Sequence, residues 1–289
     1  MKKTTFDIQQ HITDQFITRL ESVENNKWEK PFFGTGGQPV NVASKNAYRG
    51  CNTLFLMIQG FSSSTWGTYK QWQEKGAQVR KGQKATPIIF WKPIEKTDKE
   101  TGEKNSFMLV RSYSVFNAEQ VDGYEEPKTD LQDMTTRDKY ADNFFKGLDI
   151  DTRHSGEGRA YYQPAGNFCH MPNRENFKAT STSTATEGYY STKAHEYVHA
   201  TMHESRLNRE VPSVAFEECI AEIGSTLVMA YLGLSDSVRD DHIIYVKSWL
   251  KALKNDKTWI TKAASKAQKA LDWMVEKNEI ALNGLDQAA

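Results

Sequence analysis

The chain has 289 residues, enough for two ordinary domains or one large one, and is 38% hydrophobic and 26% charged. Lys+Arg and Asp+Glu both number 37, so no whole-chain charge excess draws it to nucleic acid or to any other charged partner. Cys51, Cys169 and Cys219 are odd in number and form no C-x-x-C pair, which excludes a disulfide framework and a cysteine-built zinc knuckle and suits a reducing compartment.

The first residues, MKKTTFDIQQ, carry two lysines but no apolar run behind them, so they do not read as a secretory signal. The apolar stretches are far shorter than the roughly 20 residues that span a bilayer. A cytoplasmic protein without a membrane partner is expected. Residues 4–24 place Phe6, Ile8, Ile12, Phe16, Ile17 and Leu20 at helical spacing. A Gly- and Pro-rich loop follows over 31–40. Helices are predicted over 50–61 and 68–76, the second ended by Gly76. Residues 86–92 and 107–116 are β-branched and aromatic, with a polar turn over 95–106 between them, and read as a hairpin. The acidic stretch 122–137 marks a boundary, giving domains at 1–125 and 126–289. Beyond it come a helix over 138–148 and strands near 159–163 and 167–171. A Ser/Thr-rich loop over 180–186 then leads into a helix carrying His195. A helix over 212–232 has Pro212 in its first turn and Gly233 past its end, and helices over 236–254 and 261–277 complete the chain. The fold class is α+β: an N-terminal α+β domain with a β-hairpin and a mostly helical C-terminal domain.

His195-Glu196-Tyr197-Val198-His199 has the H-E-x-x-H form. On a helix, positions i and i+4 share a face, so both imidazoles can reach one ion. Glu196, at the edge of that face, can take a proton from the attacking water. Three protein ligands are the rule for a catalytic zinc, and the third has to come from elsewhere. Residues 216–224, FEECIAEIG, offer Glu217, Glu218 and Glu222. The spacing of Glu218 and Glu222 resembles the E-x-x-x-D of gluzincins, in which the first acid binds the metal and the second supports a histidine ligand; that resemblance assigns Glu218 as the ligand and Glu222, one turn on, as the support, while Glu217 points to another face. His203 continues the row of His195 and His199, but three ligands on one straight helix spread over roughly 12 Å. It is therefore placed behind the ligands or against the following loop. His242, Tyr245, Tyr161 and Tyr162 are candidate donors to an oxyanion. Zn2+ is the expected ion.

The local charge of the N-terminal half differs from the whole. Between Lys45 and Lys92 eight basic residues stand against Glu74 alone, a balance of +7, with Tyr48, Trp66, Tyr69, Trp72, Phe90 and Trp91 among the interleaved aromatics. Cations that track phosphates and rings that stack on unpaired bases are the signature of single-strand binding. Tyr48, Arg49, Lys70, Gln71, Arg80 and Lys81, near loops and glycines, are the positions expected to contact single-stranded DNA.

The chain resembles the ArdC-type antirestriction proteins of conjugative plasmids and other mobile elements. The resemblance rests on Pro39-Val40-Asn41, Tyr48-Arg49-Gly50-Cys51-Asn52, Trp66-x-Thr68-Tyr69-Lys70-Gln71 and Gly76-x-x-Val79-Arg80-Lys81-Gly82. It continues through Ile88-Ile89-Phe90-Trp91, Tyr113 to Gln120, Tyr161-Tyr162-x-Pro164, Met171-Pro172, His195 to Arg209, FEECIAEIG and Tyr245 to Leu250. It implies a single-stranded-DNA-binding domain joined to a zincin-like metallopeptidase domain of gluzincin type. It also implies a role in protecting incoming DNA from restriction, and tolerance for other divalent ions such as Mn2+ or Co2+. Two departures, Ala200-Thr201-Met202 after the second histidine and Asn167-Phe168 before Met171-Pro172, leave the ligands in place and bear on the substrate groove.

Three functions compete. The protein binds single-stranded DNA and cleaves a protein substrate, such as one from a restriction system; or it binds DNA alone, with a structural or silent metal domain; or it is a metal-dependent nuclease. A single site with one glutamate base, and no paired carboxylates for two metals, speaks against the third.

Overall fold

The computed structural model describes residues 7–24, 37–97, 104–126, 134–179, 184–234 and 243–286. Most of the loop expected over 31–40, part of the boundary over 122–137, most of the loop over 180–186, and His242 lie outside them. Among the described residues, no helix is long and apolar enough to cross a membrane.

Helix α1 (Ile8–Glu24) buries Ile8, Ile12 and Phe16 along one face, the spacing that the sequence shows. The chain then forms β1 (Val40–Asn41), α2 (Cys51–Met57), β2 (Thr65–Gly67), α3 (Tyr69–Glu74) and β3 (Gln78–Val79). Thr68 caps α3 through a reciprocal box with Gln71, and Gly76 ends the turn at φ +76°, a conformation that suits glycine. The expected hairpin is present and longer: β4 (Thr86–Thr97) pairs antiparallel with β5 (Lys104–Asn117). A 3-10 turn over Ala118–Gln120 and β6 (Val121–Asp122) follow. One sheet runs β1-β2-β5-β4; β3 and β6 form a separate ribbon. On β4 Ile89 is buried, while Phe90 and Trp91 after it are both exposed.

In the second half, α4 (Met134–Gly147) precedes a three-stranded sheet of β7 (Thr152–Ser155), β8 (Tyr161–Gln163) and β9 (Phe168–Pro172) in the order β7-β9-β8. β8 is an edge strand. Helix α5 (Ala185–Ala200) starts at a second reciprocal box, Thr184 with Glu187. Helix α6 (Val214–Tyr231) starts two residues after Pro212, because Ser213 is the cap: its Oγ accepts from the Phe216 amide. Pro212 thus lies outside the helix rather than in its first turn. α7 (Ile243–Asn255) and α8 (Trp259–Asp286) complete the chain.

The two halves share their core. Ile8, Ile12, Phe16, Leu54, Phe55 and Ile89 join the same apolar cluster as Phe144, Tyr197, Ile220 and Leu271. Within that cluster α5 packs against α6. Gly224 makes this approach feasible: a Cβ there falls 2.6 and 2.8 Å from the Val198 methyls. Gly224→Ala is therefore expected to push the two helices apart, destabilise the fold by about 1–3 kcal/mol and loosen whatever spans them. A thermal melt unchanged from wild type refutes the close packing.

Candidate metal centre

α5 and α6 each bring one face to the same point. His195 and His199, one turn apart on α5, turn their Nε2 atoms toward each other at 3.0 Å. From α6, the Glu218 carboxylate lies 3.5 Å from His195 Nε2 and 3.6 Å from His199 Nε2. These are close to the edges of a small tetrahedron, about 3.3 Å for donors held some 2 Å from one ion. Among the described residues, His195, His199 and Glu218 form a three-donor cluster able to hold a metal ion.

The far sides of both rings meet carboxylates. Glu222 Oε1 lies 2.7 Å from His195 Nδ1, and Glu217 Oε1 lies 3.2 Å from His199 Nδ1. With Nδ1–H directed at a carboxylate, each Nε2 faces inward. Two inward Nε2 atoms and a carboxylate form a donor set that fits a cation, a metal ion or, without one, a proton on His199. The electrostatics agree. Burial opposes charge on His199, but the Glu217 and Glu218 carboxylates outweigh it and push its pKa up to about 10. Burial raises Glu218 in turn, and the hydrogen bonds of His195 and His199 hold it well below the usual carboxylate range.

Glu217 corrects the sequence reading. Placed on another face by its position beside Glu218, it nevertheless reaches His199 from behind. It is itself held by Arg209, which donates through Nη2 to Oε1 and through Nε to Oε2 at 3.2 Å. Arg209 also donates to Thr201 Oγ1 at 2.7 Å and to the Val198 carbonyl at 3.1 Å; Arg206 donates to the Ala200 carbonyl at 2.9 Å. Two arginines thus satisfy the last carbonyls of the ligand helix, the end where cations are favoured. The signal in the sequence was the pair of arginines soon after the helix; their partners were not readable.

Of the two places expected for His203, behind the ligands or against the following loop, it takes the second. It lies in the turn after α5, with Nδ1 2.8 Å from Ser205 Oγ. Of the four oxyanion candidates, Tyr161 and Tyr162 line the same cavity as the cluster, a space of about 670 Å³ that Glu196, Met202 and Val214 also border. Tyr161 stacks on His170 and the Tyr162 hydroxyl donates to Asn167 Oδ1 at 3.1 Å. Asn167 has φ +50°, which asparagine tolerates, and also accepts from Arg206 at 2.6 Å. His242 and the Tyr245 side chain lie outside the described residues.

The residues expected on DNA are spread across the N-terminal half. Lys70 and Lys81 are exposed. Arg49 is exposed and paired with Asp272. Tyr48 is half-buried, with its hydroxyl accepting from Asn41 at 3.0 Å. Gln71 closes the α3 cap, and Arg80 donates to the Val121 carbonyl at 3.1 Å and to Glu119. Phe90 and Tyr113, absent from that set, are 50% and 43% exposed and meet edge to face.

A helix pair carrying two histidines, a third carboxylate donor and an adjacent glutamate, beside an edge strand, defines a zincin-like domain. Comparison with known proteins agrees: residues 139–266 match the family model for a zincin-like metallopeptidase, and residues 6–116 match that for the N-terminal domain of anti-restriction factor ArdC. The crystal structure of the antirestriction ArdC protein from plasmid R388 in its metal-free form is 39% identical, covering 95% of this chain and 98% of that one, with a TM-score of 0.77. Its Mn(II)-bound form superposes with a TM-score of 0.68 over 94% of this chain and 98% of that one. An uncharacterized protein, y4eC, of Sinorhizobium fredii is 36% identical over 96% of each chain. A DNA primase, TraC, of Escherichia coli is 33% identical over 92% of this chain, which spans 27% of that protein. The chain belongs to the ArdC family of antirestriction proteins.

Proposed function

We propose that residues 1–125 bind single-stranded DNA and that residues 126–289 hold a divalent ion, Zn2+ first and Mn2+ or Co2+ as substitutes, and hydrolyse a peptide bond in a protein met at that DNA. The observation that carries the reading is that Glu196 and the three-donor cluster open together onto one cavity bordered by β8. An extended peptide can add to the free edge of β8 through backbone hydrogen bonds, which brings one of its carbonyls to the cluster. His195, His199 and Glu218 would hold the ion, whose charge would polarise that carbonyl and acidify a nearby water. Glu196 would take one proton of that water as its oxygen bonds to the carbonyl carbon, and return it to the amine as the C–N bond breaks. The basic, aromatic stretch between Lys45 and Lys92 supports the DNA half of the reading, as does the match to a DNA primase.

Glu196→Gln tests it. The amide cannot take the proton but keeps the shape of the side chain. Peptidase turnover is expected to fall by about 10²–10⁴-fold, with metal content and DNA affinity unchanged and protection against restriction lost. If protection persists in full, occupancy of the DNA suffices and the metal domain is silent in that role.

A further inference from the structure

A second groove lies away from the metal centre, on the seam between the two halves, with a volume of about 770 Å³. α2 and β4 supply one wall, including Arg49 and Trp91; α8 supplies the other. Trp91, beside the buried Ile89, is 41% exposed. Across from it, Lys262, Lys266 and Lys269 stand at i, i+4 and i+7, one face of α8. Among the described residues that line the groove, the one carboxylate, Asp272, pairs with Arg49 at 2.5 Å. The nearby Asp256 pairs with Lys262 at 3.1 Å, and Lys266 Nζ donates to the Glu210 carbonyl at 3.3 Å. Both pairs are exposed or at the rim, so they yield readily to a polyanion.

The walls are fixed relative to each other. The Gly50 amide donates to Gln268 Oε1 at 2.8 Å in a buried contact, and a Cβ on Gly50 would stand 3.8 Å from the Ala264 carbonyl. A groove already shaped needs little ordering on binding. The lysine row covers about 10 Å of helix, the reach of two or three successive phosphates, and Trp91 offers a ring to one unpaired base.

We propose that a single strand of DNA lies in this groove, so that α8 of the metallopeptidase half is part of the DNA-binding surface. This rests on the DNA-binding reading above and places it. The other face of α8 packs along α6, the helix that carries Glu217, Glu218 and Glu222, so a strand held here runs along the back of the metal centre. The rival surface is the outer face of the hairpin, where Phe90, Tyr113 and Arg111 are exposed.

The experiment is anisotropy of labelled oligo-dT of about 20 nucleotides with the full chain over a range of salt. Lys262→Ala/Lys266→Ala/Lys269→Ala is expected to weaken binding at low salt by about tenfold or more and to lower the log–log salt slope by about 2. The matching lysine-to-arginine triple keeps both, and the single exposed Lys269→Glu weakens binding without touching the core. Trp91→Ala weakens binding with little change of slope. Wild-type binding together with an unaltered lysine triple overturns the groove alone; so does a loss confined to Phe90→Ala/Tyr113→Ala. Absence of binding by the wild type overturns the DNA-binding reading and the groove with it.

Discussion

A divalent ion is expected to raise the melting temperature of the wild-type protein, and Glu218→Ala to abolish most of that rise. The ion would bind a site that exists only when α5 and α6 are packed, so its binding energy would add to folding stability. With the ion at about a thousand times its dissociation constant the gain is about 4 kcal/mol, which for a chain of this size is on the order of 10 °C. Glu218 is the one donor of the cluster that comes from α6. Without it the ion keeps two histidines from a single helix and no longer bridges the pair. The metal-free melting temperature is expected to fall as well, because Glu218 accepts from His195 and His199 and its lowered pKa makes the carboxylate stabilising at neutral pH. The rise on adding the ion is therefore read within each variant, against its own metal-free value. Exposed Glu204, changed to alanine, serves as the control. A rise as large in Glu218→Ala as in wild type places the third ligand elsewhere; chelator must reverse the rise in either case.

Residue spacing reveals directions within one element well and relations between elements poorly. The hairpin was legible because β-branched and aromatic residues flank a polar turn, and the H-E-x-x-H pair because i and i+4 share a face. Strands β1, β2, β3 and β6 hold two or three residues each, too few to show a period. Glu217 was misplaced for a related reason. Position on α6 sets it about 100° around the helix from Glu218, yet the two meet opposite nitrogens of the same ring, His199, because that ring projects between them. Periodicity of α6 alone cannot say where a ring on α5 will stand. His203 was readable as a continuation of the histidine row only while the helix was taken to continue; α5 ends at Ala200, and the turn carries His203 away. In the basic segment, counting charges could not separate Lys70 and Lys81, which face solvent, from Arg80 and Gln71, whose hydrogen bonds are used inside the domain. Nor could it show that Arg49 faces lysines from the far end of the chain.

Arg209→Ala is expected to destabilise the protein by about 3–5 kcal/mol, because it leaves Glu217 buried without its cation. Arg209 and Glu217 are 8% and 6% exposed, and the guanidinium uses its fork on both carboxylate oxygens while also reaching Thr201 and the Val198 carbonyl. Arg209→Lys is expected to rescue little, since a point charge cannot reproduce that fork. Glu217→Gln in the Arg209→Ala background should recover part of the loss, because the amide carries no charge to strand; a double-mutant cycle by denaturant unfolding reads the coupling. The metal state changes what stands behind the ring. Without an ion, the raised pKa of His199 places a positive charge beside Glu217; with an ion at Nε2, the ion's own charge takes the place of that proton and Nδ1–H still faces Glu217. The penalty is therefore expected in both states. A loss under about 1 kcal/mol in both would show that Glu217 does not depend on Arg209 for its charge, and that the orientation of His199 has another source.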